Sequence, residues 1–172
     1  EYKRDTLPFS QRFIHRLGVE GRAGYIFQTN PFLEYSNHQY KPMKNAYAGH
    51  LKYSFQLRPH TVADQAYIGA YQGIGVGYFN FGNPEELGNP LAVYLFQGGR
   101  IAQFSPRISL NYEWNFGASF GWKPYDEYDN PENQIIGSKV NAYLNVNLYL
   151  KWALSPKFDL MIGATGSHFS NG

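Results

Sequence analysis

The sequence predicts an all-β chain, an antiparallel up-and-down transmembrane β-barrel. Three observations carry that expectation. From Arg107 to Trp122 large apolar and small or polar residues alternate over sixteen positions. Ile108, Leu110, Tyr112, Trp114, Phe116, Ala118, Phe120 and Trp122 share one side; Ser109, Asn111, Glu113, Asn115, Gly117, Ser119 and Gly121 share the other. A period of two is the signature of a strand, whose successive side chains leave on opposite faces. Sixteen residues at roughly 3.3 Å each, tilted by about 45°, rise far enough to cross a bilayer. Secondly, 18% of the 172 residues are aromatic and only 16% are charged, which suits an apolar outer wall around a polar, mostly uncharged lining. Thirdly, no run approaches the roughly 18 apolar residues of a transmembrane helix, so any crossing is made by strands.

The elements follow in order as a single domain over residues 1–172. The first strand is expected at residues 19–28, then a long connection at 29–44. Tyr47, Gly49, Leu51, Tyr53, Phe55 and Leu57 alternate with Ala48, His50, Lys52, Ser54 and Gln56 to give the second. Residues 66–81 are strand-like but rich in glycine, and their faces cannot be assigned by alternation. A short strand at 91–97 follows the turn chemistry of Gly82-Asn83-Pro84 and Gly88-Asn89-Pro90. After the strand at 107–122 comes a long acidic loop at 123–136. Val140, Ala142, Leu144, Val146, Leu148, Leu150, Trp152 and Leu154 then alternate with Asn141, Tyr143, Asn145, Asn147, Tyr149 and Lys151. A tight Ser155-Pro156 turn leads to the seventh strand, in which Phe158, Leu160, Ile162 and Ala164 share one parity. Seven strands leave an edge, and an open edge in lipid strands backbone groups without partners. Bacterial single-chain barrels have an even number of strands, eight at minimum, so either a strand goes unrecognised within the residues given, most plausibly at 1–16, or, as the ending on a motif at the tip of the seventh favours, an eighth is expected beyond them.

Net charge of +2 is too small to imply nucleic acid, and zero Cys excludes disulfides, thiolate metal sites and cysteine nucleophiles. His50 has the lining parity of its strand, whereas His15, His38 and His60 read as solvated residues in or near loops. Asp126, Glu127, Asp129 and Glu132 read as a solvated acidic run, with a divalent cation bridging lipid phosphates as the sharper alternative. Gly73-Ile74-Gly75-Val76-Gly77 lacks the lysine and helix of a phosphate loop and is expected to permit either bending or close side-chain approach across the barrel. Arg107, Glu113, Lys139 and Lys151 are expected to pair inside the lumen, and Tyr112, Trp114, Trp122 and Trp152 to include interface anchors.

The sequence ends on His168-Phe169-Ser170-Asn171-Gly172. His168 and Ser170 carry the parity of Leu160 and Ile162, so they are expected to point outward unless a bulge intervenes near Gly163 or Gly166. Two apart on one strand face, an imidazole can take a hydroxyl proton, and polar groups on a lipid face are costly and usually functional.

These residues resemble the His-x-Ser-Asn signature of the lipid A 3-O-deacylases, the PagL-like acyloxyacyl hydrolases of Gram-negative outer membranes. The Bacteroidetes-type branch is similar also in Gly88-Asn89-Pro90 with Val93-Tyr94, Tyr112-Glu113-Trp114-Asn115-Phe116-Gly117, Gly121-Trp122-Lys123-Pro124-Tyr125 and Gly137-Ser138-Lys139-Val140-Asn141-Ala142-Tyr143. The likeness covers roughly residues 65–172. It implies an eight-stranded barrel with catalytic groups on its outer wall, Ser170 as nucleophile, His168 as general base and then acid, and Asn171 with the backbone around Gly172 as oxyanion donors. No cofactor or metal is implied. The family's acidic third member, about a dozen positions beyond the serine, has no counterpart; Glu113 and Asp159 have the inward parity. The implied partners are the acyl chains of lipid A or lipopolysaccharide and outer-membrane lipid, with a homodimer or larger envelope complex open. Two functions stand: an outer-membrane serine esterase removing an acyl chain from lipid A or a related glycolipid, or a non-catalytic barrel, either a scaffold subunit of a larger outer-membrane complex or a degenerate relative of the esterase.

Overall fold

A computed structural model describes residues 8–26, 37, 39, 43–58, 61–133 and 136–170. Seven strands form one curled antiparallel sheet in sequence order, a half-barrel consistent with an open β-barrel. They are β1 (Phe13–Tyr25), β2 (Asn45–Leu57), β3 (Tyr71–Asn80), β4 (Leu91–Gln103), β5 (Ile108–Phe120), β6 (Val140–Ala153) and β7 (Asp159–Ser170). A 3-10 turn at Phe9–Gln11 precedes β1, and a one-turn helix α1 (Val62–Ala66), capped by the Thr61 hydroxyl on the Asp64 N–H, separates β2 from β3. No helix among the described residues is long and apolar enough to cross a membrane, a fact that says nothing of strands.

Alternation sorts the two faces as expected. Phe116, Leu144, Val146 and Leu148 are exposed on the outside, with Leu110 half-buried; Asn111, Glu113 and Asn145 are buried inside, with Asn147 half-buried. The outer wall also carries Leu17, Val19, Leu51, Ile74, Leu95 and Ile162, an apolar surface far larger than solvent-facing sheets present.

Several boundaries differ from the sequence reading. β1 starts at Phe13 rather than at residue 19, so His15 is no loop residue: it lies on the outer face, its ring stacked on Tyr53 with Nδ1 2.6 Å from the hydroxyl. β4 runs on through Gly98 and Gly99 to Gln103, because a register shift between Arg100 and Ala102 absorbs one residue and lets pairing with β5 continue. Residues 66–70 are helix end and turn, not strand. β5 stops at Phe120. Gly121 then takes φ +86°, a left-handed conformation open to glycine, and this reverses the parity of its successor. Trp122 is therefore a correction: it is buried inside, stacked on Phe81, and not an outer anchor. Tyr112, Trp114 and Trp152 do face outward.

The interior has two zones. At the end where β1, β3 and β5 finish, Phe79, Phe81, Trp122, Tyr143 and Phe169 pack ring against ring, and Met43, Leu87 and Ile136 from the connecting loops close over them. Nearer the other end, Lys52 Nζ lies 2.7 Å from Glu20 and 2.5 Å from Glu113, so β1, β2 and β5 meet through one ammonium. Tyr71 donates to Glu113 (2.9 Å) and its hydroxyl lies 2.6 Å from that of Tyr149. Arg22 pairs with Glu20 and reaches the Tyr143 hydroxyl. The expected lumen pairing holds for Glu113 alone in this network; Arg107 and Lys139 sit exposed at strand ends, while Lys151 is half-buried inside. The Gly73–Gly77 stretch admits close approach as expected: a Cβ on Gly75 would lie 2.5 Å from the Tyr94 ring, and one on Gly77 2.5 Å from His50.

Candidate functional site at the tip of the last strand

β7 pairs with β6 without a slip from Asp159 to Ser170, so no bulge disturbs its parity. Alternate residues have opposite attachments. On the inside, Asn145 Nδ2 lies 2.7 Å from Ser167 Oγ and 3.0 Å from the Gly166 carbonyl. Phe169 inserts into the aromatic zone, its ring centre 4.9 Å from that of Trp122 and 5.2 Å from those of Phe79 and Tyr143. Anchoring Phe169 inward fixes its two neighbours outward. His168 stands opposite Leu144 and Ser170 opposite Ala142, both on the exposed face of β6. His168 is exposed and Ser170 half-buried.

Phe169 is the positioning residue that alternation alone did not single out. Its signal was present, a large aromatic residue at an inward position after Gly163, Thr165 and Ser167 on the same face. Asn171 and Gly172, expected as oxyanion donors, lie outside the described residues. Asp159 and Glu113 both face inward, engaged with Arg16 and Lys52 respectively, so neither can orient His168.

An apolar cleft of about 600 Å³ adjoins the same strand tip from the inner side, bordered by Ile26, Phe79, Phe81, Trp122 and Phe169, with His168 at its rim. The other histidines have different settings. His50 is buried, its Nδ1 2.8 Å from the Tyr94 hydroxyl. His38 and His60 lie outside the described residues. In the acidic loop the backbone N–H groups of Asp129 and Tyr128 donate to Asp126 (2.9 Å each) and hold its carboxyl below the usual range. Among the described residues no group of three or more His, Asp or Glu side chains is gathered closely enough to hold a metal ion.

Fold and site together define a class: an up-and-down antiparallel half-barrel with an apolar outside and a polar and aromatic inside, which fits an outer-membrane β-barrel. Comparison with known protein families, with curated proteins and with solved structures gave no match to this chain.

Proposed function

We propose that this chain is a wall of a Gram-negative outer-membrane barrel and a serine esterase that removes an ester-linked acyl chain from lipid A or a related glycolipid. The observation that supports the reading is the outward placement of His168 and Ser170 on an apolar wall, two positions apart and level with Leu144 and Ala142. Acyl chains packed against that wall meet these two groups without leaving the bilayer. In the reaction Ser170 Oγ attacks the ester carbonyl as His168 takes the hydroxyl proton, and the imidazolium returns that proton to the departing sugar oxygen. Water then attacks the acyl-serine, His168 again serving as base, and the free fatty acid leaves. Asn171 and backbone N–H groups near Gly172 are the proposed oxyanion donors.

A carboxylate to orient His168 is the missing part. The outer faces of β6 and β7 carry none, and the resemblance puts it on a strand beyond the free side of β7. That gap is what favours the second reading, a non-catalytic scaffold barrel.

Mass spectrometry of lipid A from cells expressing the protein tests the proposal. Wild type is expected to remove one acyl chain; Ser170→Ala loses several orders of magnitude in rate and His168→Asn nearly as much, with assembly unchanged. Equal deacylation by wild type and Ser170→Ala overturns the mechanism. No deacylation by wild type across several lipid A forms favours the scaffold.

A further inference from the structure

The two ends of the sheet differ in charge. At one end β2 connects to β3, β4 to β5 and β6 to β7; at the other lie the long connections and the tip of β7. The first end is basic, and its parts repeat one pattern, a cation and a large exposed apolar side chain from the same segment. The segment before β1 gives Arg12 with Phe9, and the β2–β3 connection gives Arg58 with Tyr67. The β4–β5 turn gives Arg107 with Phe104, and the β6–β7 turn Lys157 with Phe158. Phe9, Tyr67, Phe104 and Phe158 are each between 64% and 73% exposed. The carboxylates of this end are withdrawn: Asp64 is buried and Asp159 is bound to Arg16. Among the described residues Arg58, Arg107 and Lys157 are exposed and have no ion pair. At the other end the balance reverses. Glu85, Asp126, Glu127, Asp129 and Glu132 are exposed there, against Lys44, Lys123 and Lys139 among the described residues.

We propose that this basic end is a docking rim for anionic phospholipid. Its cations hold the headgroup phosphates of the leaflet it meets, and its rings enter the boundary between headgroups and acyl chains. Charge selects an anion, and the rings select lipid. A soluble polyanion would meet the cations but leave the rings in water, whereas a bilayer boundary takes both kinds of group at one depth. The outer wall is continuous with the rim: Ile108, Trp152 and Leu160, paired in one row across β5, β6 and β7, are exposed at the same end and carry the apolar band down to it. Attraction between basic side chains and an anionic surface falls off within a Debye length, about 8 Å at physiological salt, so the cations of this rim act and those of the far end do not. Orientation follows from the same asymmetry. The acidic end, with His168 and Ser170 at the tip of β7, turns away from the leaflet that holds the rim. The inference rests on the membrane reading of the wall and not on the esterase reading.

Lipid selectivity tests the rim. Protein inserted in phosphatidylcholine vesicles with a trace of spin-labelled phosphatidylglycerol, or of spin-labelled phosphatidylcholine, gives the fraction of each lipid held at its surface. Each cation should favour the anionic label by about fivefold, and dilution over the uncharged remainder of the lipid ring leaves an average preference of at least about twofold. The triple variant Arg58→Gln, Arg107→Gln, Lys157→Gln should lose most of that preference while inserting equally, since all three side chains are exposed. In wild type the preference should also collapse in about 1 M salt, where the Debye length is about 3 Å, a result that needs no variant to fold. Equal preference in wild type and variant, a preference that survives the salt, or none in inserted wild type overturns the proposal. So does polyglutamate binding to micelle-held wild type, lost in the variant, with no lipid preference; the rim would then serve a soluble polyanion. Protein that enters neither kind of vesicle overturns the membrane reading and the rim with it.

Discussion

The two zones of the interior solve the same problem, filling a small lumen, by opposite means. At the loop end five aromatic rings share contacts so widely that each has several substitutes for any one neighbour. Toward the other end Glu20, Lys52 and Glu113 form a chain in which one ammonium serves two carboxylates drawn from strands remote in sequence. Dispersion contacts are individually small and many, so loss is graded. A buried charge stripped of its partner is costly at once. The contrast is between redundancy and dependence.

Removing Lys52 should therefore be the most damaging single change. Lys52→Ala leaves Glu20 to Arg22 alone and Glu113 to neutral donors, at a cost of about 3–5 kcal/mol. Urea titration of the protein in detergent micelles measures it, and adding Glu113→Gln should restore a good part. A loss under 1 kcal/mol would show that the chain of charges is not interdependent. In the aromatic zone Trp122→Ala should cost about 3 kcal/mol, the low end for a large ring, since neighbours can relax into the adjoining cleft. Trp122→Phe should recover most of that in the same titration; a cost exceeding that of Lys52→Ala would reverse the comparison. The smallest effect concerns a glycine beneath the rings. Gly117→Ala would press a Cβ on the Val93 carbonyl and Tyr94 backbone, costing about 1–3 kcal/mol, whereas Gly21→Ala meets nothing within 4 Å and should leave the midpoint unchanged.

Faces were legible in the sequence, and most contacts were not. Alternation depends on one residue and its immediate neighbours, so Ile108, Leu144 and Asn145 could be assigned without knowing any pairing. It failed at Trp122 because a single φ at Gly121 reverses parity, and the letter sequence is silent on φ. The strand expected at 91–97 stops before Gly98, yet Gly98 lies under Tyr71 and a bulge carries β4 onward to Gln103. The expected lumen network, charged residues of inward parity, has Glu113 and Lys151 inside but also takes in Arg107 and Lys139, which sit exposed at strand ends, and leaves out Glu20 and Lys52. Which inward charges meet depends on register between strands far apart in the chain. At the candidate site, parity gave the outward face of His168 and Ser170. Among the described residues no carboxylate stands on the outer faces of β6 and β7 to orient His168.

The glycines beneath interior rings couple the histories of distant positions. Gly75 cannot gain even a methyl group while Tyr94 keeps its ring, and a smaller residue at position 94 would leave a void above an unchanged Gly75. Each change is harmful first and tolerable only second, so a lineage must cross a fitness valley to alter either. Gly98 with Tyr71 has the same ring above it, whereas Gly117 faces the Val93 carbonyl and the Tyr94 Cα, which no change of a partner side chain removes. Residues that look replaceable one at a time should thus be among the slowest to drift, and they should change, when they do, as pairs.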